Sequence, residues 1–103
     1  MKANELVILL EGLNIPIAFN KFKEEEGISP PFIQYIDDSP DLITADDKNY
    51  FKYNHFIVDL VTDNKDFTLE ESLEQIFNNN NLIYEKEPSY IDSEKVYLAR
   101  YFI

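Results

Sequence analysis

The chain has 103 residues, 45% of them hydrophobic and 15% aromatic, which predicts a single domain over residues 1–103 with a core of its own. Its 20 acidic and 9 basic residues leave a net charge of −11, which argues against binding nucleic acid through phosphates or anionic membranes through lipid headgroups. The absence of cysteine excludes disulfides and thiolate metal sites. The apolar run near the start lies between Glu5 and Glu11 and is too short to span a bilayer, so we expect no signal peptide and no membrane partner.

The first third of the chain predicts one short helix and two strands. Gly12 or Asn14 can end the helix, and Pro16 cannot continue it. Alternating residues predict a strand over 17–22, and the Pro30-Pro31 pair favours an extended entry to a strand over 32–36. The apolar side of the helix consists of Leu6, Val7, Leu9, Leu10 and Leu13.

A long strand over residues 50–62 is the clearest feature of the sequence. One of its faces carries apolar residues in strict alternation. The opposite face holds Tyr53, His55, Ile57, Asp59 and Val61, and is too apolar for a fully solvated surface. We therefore expect another element or another subunit to cover part of it. A polar, acidic loop over 37–49 precedes the strand, and loops of that length are often functional.

The last forty residues predict a helix and a hairpin. Thr68 and Glu71 have the spacing of a capping box, and the run 78–81 of asparagines ends the helix. Strands over 83–91 and 95–103 form the hairpin, with Pro88 indicating a bulge or a sheet edge. The fold class predicted is α+β: a mainly antiparallel sheet of four to five strands with two helices packed on one face. The apolar stripe of the second helix is Leu69, Leu73, Ile76 and Phe77.

Residues with catalytic potential are few. His55 is the only histidine and lies in no recognisable motif, so we interpret it as structural or solvent-facing. Asp37, Ser39 and Asp41 have the spacing of calcium-loop ligands, but the sixth and twelfth positions carry Leu42 and Lys48 where glycine and glutamate are needed. We therefore predict no enzyme activity, no small-molecule substrate, no cofactor and no metal.

Aromatic residues at the end of the acidic loop have two interpretations. Aromatic anchors beside a long loop are typical of protein interfaces, but the same residues can finish the core at the start of the strand. The sequence alone leaves both open. The candidate interface residues are Asp46, Asp47, Tyr50, Phe51, Tyr53, Ile57 and Val61.

Short segments spread in order over most of the chain resemble a known family. The chain is similar to the small tail-completion proteins of long-tailed phages and prophages of Gram-positive bacteria, the tail-terminator-like or head–tail joining group. The segments are LNIPIAF (13–19), FKE (22–24), PPFI (30–33) with Tyr35, ADDK (45–48) with Tyr50, DLVTD (59–63) with KD (65–66), YEK (84–86) and SEKVY (93–97).

This resemblance implies a structural phage protein without catalysis. The family forms α+β subunits that assemble as a ring, expected to be a hexamer, and that cap the tail tube or join it to the head. The implied partners are other copies of the chain and neighbouring tail-tube or head-connector proteins. The implied location is the virion, after assembly in the cytoplasm of the bacterial host.

The net charge supports a rival interpretation. A small acidic protein can act as a DNA mimic that inhibits a basic host protein, for example a nuclease or a repressor. Such a mimic binds in a salt-sensitive way, whereas a ring subunit self-associates through less polar surface.

Overall fold

The computed structural model describes residues 2–20, 28–37 and 56–103. Within them lie two α-helices and five strands that form one mixed sheet, so the predicted α+β class is confirmed. The elements are α1 (Ala3–Leu10), a 3-10 turn (Glu11–Leu13), β1 (Ile17–Phe19), β2 (Phe32–Asp37), β3 (Phe56–Thr62), α2 (Phe67–Asn79), β4 (Glu85–Ile91) and β5 (Val96–Phe102).

The strand order is β1-β2-β3-β5-β4, with β1 parallel to β2 and every other pair antiparallel. The hairpin β4–β5 therefore pairs with β3 through its second strand. This leaves β4, which carries Pro88, at the edge of the sheet. A sheet edge was one of the two alternatives that Pro88 indicated, the other being a bulge.

Both helices pack on one face of the sheet. Leu6 and Leu10 of α1 and Leu73 and Phe77 of α2 are fully buried, and they form one cluster with residues from β2, β3 and β5. The sheet residues of this cluster are Ile33, Phe56, Val58, Leu60, Ala99, Tyr101 and Ile103. The alternation of β3 predicted its buried face correctly, because successive side chains of a strand point to opposite faces.

Three asparagines with positive φ mark the ends of predicted elements. Asn14 (φ 57°) follows the 3-10 turn after α1, and Asn81 (φ 57°) follows the end of α2. Asn20 (φ 71°) ends β1 after Phe19, so the predicted strand over 17–22 is too long within the residues described. Asparagine tolerates this left-handed conformation better than most residues, which explains why each element stops there.

Other predicted boundaries shift by a few residues. Ile83 is exposed and precedes β4, which begins at Glu85, and Lys95 has a positive φ (55°) in the turn before β5. The predicted start of the long strand at Tyr50 and the acidic loop after Asp37 lie outside the described residues.

The predicted capping box of α2 is wrong. The helix begins at Phe67, and its N-cap is Asp66, whose carboxylate accepts a hydrogen bond from the Leu69 backbone N–H at 2.9 Å. Thr68 lies inside the first turn, where its side chain cannot serve as the N-cap.

We expect Asp66→Ala to lower the free energy of unfolding by about 1 kcal/mol, because it removes the acceptor for an N-terminal backbone N–H. Thr68→Ala is the matched control and should change that free energy by less than about 0.5 kcal/mol. Urea denaturation of both variants measures the difference. A larger loss of unfolding free energy for Thr68→Ala than for Asp66→Ala would contradict Asp66 as the N-cap and support the capping box predicted from the sequence.

Candidate functional site

The face of the sheet that α1 and α2 leave uncovered carries side chains in ordered rows. We call it the second face. Strand register places Phe32, Val61 and Leu98 side by side in one row. A parallel row consists of Ile36, Ile57 and Phe102.

A polar row runs between these two apolar rows. Gln34, Asp59 and Arg100 are neighbours across β2, β3 and β5, and Glu87 of β4 follows Arg100. Two apolar stripes around a central arginine resemble the composition of protein interfaces, in which aromatic residues and arginine are enriched. The second face is thus an ordered surface suited to contact with another protein.

The centre of the polar row is a bidentate ion pair. Arg100 Nε donates to Asp59 Oδ1 at 2.8 Å, and an Nη of the same guanidinium donates to Oδ2 at 2.9 Å. These hydrogen bonds raise the pKa of Arg100, and the Asp59 charge adds to the effect. Both Asp59 oxygens accept from Arg100, so the whole carboxylate is engaged in the ion pair.

Burial is unequal within this pair. The side chain of Asp59 is 6% exposed, whereas that of Arg100 keeps 38% of its surface exposed. The guanidinium has five N–H donors and uses two of them on Asp59. Among the described residues no acceptor bonds the remaining donors, so they are available to an acceptor on a partner protein.

A groove of about 340 Å³ lies over the same pair. Its apolar walls include Phe32, Val61 and Leu98, and its polar lining includes Gln34 and Glu94 as well as the ion pair. The turn between β4 and β5 contributes Glu94, so the groove extends from the sheet surface to the tip of the hairpin.

A polar cluster on the helix-covered face joins α2 to the hairpin. Glu74 accepts hydrogen bonds from the Tyr101 hydroxyl and from Lys86 Nζ, both at 2.7 Å. Lys86 also lies 2.7 Å from Glu70, a carboxylate that is 3% exposed and that pairs with Lys65 at 2.9 Å. The cluster ties helix to sheet on the side away from the second face.

The titration of this cluster follows its contacts. Burial opposes ionisation of Glu74, but the hydrogen bonds from Lys86 and Tyr101 outweigh it and hold the pKa of Glu74 below its ordinary value. Burial, with the bond to Glu74, raises the pKa of Tyr101 far above that of a free tyrosine. The stability contributed by Glu74 is thus present at neutral pH and is lost as the pH falls through its lowered pKa.

Of the seven candidate interface residues, two are described and both lie on the second face. Ile57 is half-buried in one apolar row, and Val61, 6% exposed, lies in the groove. The other five (Asp46, Asp47, Tyr50, Phe51 and Tyr53) lie outside the described residues, as does His55.

Sequence reasoning missed Arg100. Asp59 is a charge within an apolar strand, and a buried carboxylate requires a paired cation. The alternation of the last strand places Arg100 between Leu98 and Phe102, which was the available signal. What the sequence lacked was the register that joins two residues 41 positions apart.

No protein-family model, curated protein or solved structure matches the chain. Within residues 2–20, 28–37 and 56–103, no helix is both long and apolar enough to cross a bilayer. In the same part of the chain, no three Asp, Glu or His side chains come together as a metal site.

Proposed function

We propose that this protein is a non-catalytic structural subunit of a long-tailed phage, which assembles into a ring at tail completion or at the junction of head and tail. The observation that carries the proposal is the second face. It is a sheet surface of two apolar rows around a partly exposed arginine, on the side of the sheet away from both helices. The ordered family resemblance supplies the phage role.

The assembly step follows from the chemistry of that face. Covering its apolar rows removes Leu98, Ile57 and Phe102 from water, which is the main driving force for association. A carboxylate from the neighbouring copy would meet the free donors of Arg100. The chain has 20 acidic residues from which that carboxylate can come. A closed ring joins two different patches of successive subunits, so a single arginine on the second face suffices for each contact.

We expect Leu98→Asp to weaken self-association at least about tenfold, because a charge buried against apolar groups costs ~1.4 kcal/mol or more. The matched control is Ile83→Asp, since Ile83 is a highly exposed apolar residue between α2 and β4, outside the rows of the second face. Light scattering after size exclusion, over a range of concentrations, measures the oligomeric state. Circular dichroism establishes that both variants are folded.

The role in virion assembly is tested in a phage strain that lacks the gene for this protein. Its lysate should contain unattached heads and aberrant tails, which wild type and Ile83→Asp should rescue and Leu98→Asp should not. Normal virions from the deletion strain would overturn the phage role. A protein that stays monomeric at high concentration and binds basic proteins in a salt-sensitive way would instead support the acidic inhibitor.

A further inference from the structure

The two edges of the sheet differ in what they offer to another strand. Phe56 and Ile103 exchange backbone hydrogen bonds in both directions (3.1 and 3.0 Å). With the strand registers, this pair determines which residues of β5 and β4 direct their backbone N–H and C=O groups to which neighbouring strand. Lys86, Pro88 and Tyr90 therefore direct their backbone groups away from β5. Pro88 has no N–H, so the outer edge of β4 lacks its central donor and is protected against pairing.

The outer edge of β1 keeps its backbone donors, because no residue of this strand is a proline. The Ile33 N–H donates to the Pro16 carbonyl at 2.8 Å, and the Asn20 N–H donates to the Tyr35 carbonyl at 2.7 Å. Residues 16, 18 and 20 therefore face β2, and Ile17 and Phe19 direct their N–H and C=O groups outward. Among the described residues, these outward groups have no hydrogen-bond partner.

A groove of about 410 Å³, lined mainly by aliphatic and aromatic residues, lies beside the outer edge of β1. The Phe19 ring is 60% exposed and packs edge-on against Tyr35, with ring centroids 5.4 Å apart. One charged residue, Glu11, belongs to the lining. The full lining is Val7, Glu11, Ile15, Ile17, Phe19 and Tyr35.

We propose that the β1 edge binds an extended segment of a partner protein, which adds a sixth strand to the sheet. An extended backbone matches two outward N–H and C=O pairs spaced two residues apart, and alternate side chains of the added strand would enter the groove. The partner segment carries apolar residues in alternation with lysine or arginine: the apolar side chains face the mainly aliphatic and aromatic lining of the groove, and the basic ones complement the net charge of −11. This site is distinct from the second face and does not depend on the proposed ring.

A second copy of the chain fits the edge less well. If Ile17 and Phe19 paired with two successive outward residues of β4, Pro88 would stand opposite one of them in every register. Two copies also bring like net charges together. A basic segment of a different protein has neither disadvantage.

The probe is a blocked seven-residue peptide of alternating lysine and valine, titrated into 15N-labelled protein. The amide signals of Ile17 and Phe19 should shift most, and hydrogen exchange at these two amides should slow. A control peptide with N-methylated central valines has the same side chains and charge but cannot complete the strand pairing, and it should not reproduce these changes. Equal effects of the two peptides would mean non-specific attraction to an acidic protein and would overturn the proposal.

Phe19→Pro tests the backbone contact directly. Position 19 tolerates proline because its N–H points away from β2. The matched control is Phe19→Ala, which removes the ring but keeps the N–H. Relative to the alanine variant, the proline variant should bind the peptide about fivefold more weakly, the loss expected for one hydrogen bond.

Four outcomes would overturn the proposal: equal affinity of the two variants, no binding at millimolar peptide, shifts centred on Leu98 and Arg100, or a dimer in sedimentation that Phe19→Pro abolishes. The last would mean that β1 pairs with β1 of a second copy. The spectrum of each variant without peptide shows whether it is folded.

Discussion

Arg100→Leu should lower the free energy of unfolding by about 2–3 kcal/mol, because it leaves the Asp59 carboxylate buried without a partner. The loss is smaller than the roughly 3–5 kcal/mol seen for fully buried pairs, since Arg100 is partly exposed and water can replace part of its contact. Urea denaturation at neutral pH measures the change.

Asp59→Asn gives this prediction its sharpest control. In the wild-type protein an amide at position 59 replaces the carboxylate that accepts both hydrogen bonds from Arg100, so the substitution should destabilise the fold. In the Arg100→Leu background the same substitution removes an unpaired buried charge and should stabilise it. The reversal of sign isolates the coupling between the two residues. Equal losses of stability in both backgrounds would show that the two residues are not coupled and that the second face owes little to the pair.

The consequence for assembly can be separated from the consequence for folding. Asp59→Asn keeps Arg100 on the surface, whereas Arg100→Leu removes the donors that we assign to a neighbouring copy. Self-association should therefore weaken more in Arg100→Leu than in Asp59→Asn, under conditions where both variants are folded. Light scattering on the two variants makes the comparison.

The sequence predicted those parts of the fold that depend on local patterns. Alternation in β3 identified its buried face, the stripe from Leu69 to Phe77 identified the packed side of α2, and Pro88 indicated an edge or a bulge. Each of these signals lies within a few residues of the feature it predicts. The side chain or backbone conformation involved is set mainly by its immediate neighbours.

The errors arise where two local signals compete or where pairing is distant. Aspartate and threonine are both favoured at helix N-caps. The Asp66 carboxylate accepts a hydrogen bond from the Leu69 N–H, so Asp66 rather than Thr68 is the N-cap. The candidate site depends on β3 and β5 being neighbours in one register, because only then do Asp59 and Arg100 meet. No periodicity in either segment specifies that register, so Arg100 could not be predicted as part of the site.

Phe77→Ala should lower the free energy of unfolding by about 3–5 kcal/mol, the range for truncating a fully buried aromatic residue. Phe77 forms a triangle with Tyr84 and Tyr101, with ring centroids 5.4 to 5.6 Å apart, so its removal opens a cavity and also breaks two aromatic contacts. Since native domains are stabilised by roughly 5–15 kcal/mol, the variant should lose a large part of its total stability.

The matched control for this variant is Phe67→Ala, on the same helix. Phe67 is 67% exposed, and its ring lies 5.3 Å from Lys65 Nζ, so its truncation should cost about 0.5–1 kcal/mol. Thermal and urea unfolding of the two variants measure the difference. Phe77 packs α2 against β5, the strand that carries Arg100. Loss of the aromatic triangle should therefore also loosen β5 and weaken assembly through the second face. A Phe77 variant that unfolds like the Phe67 variant would mean that α2 is not anchored by this cluster.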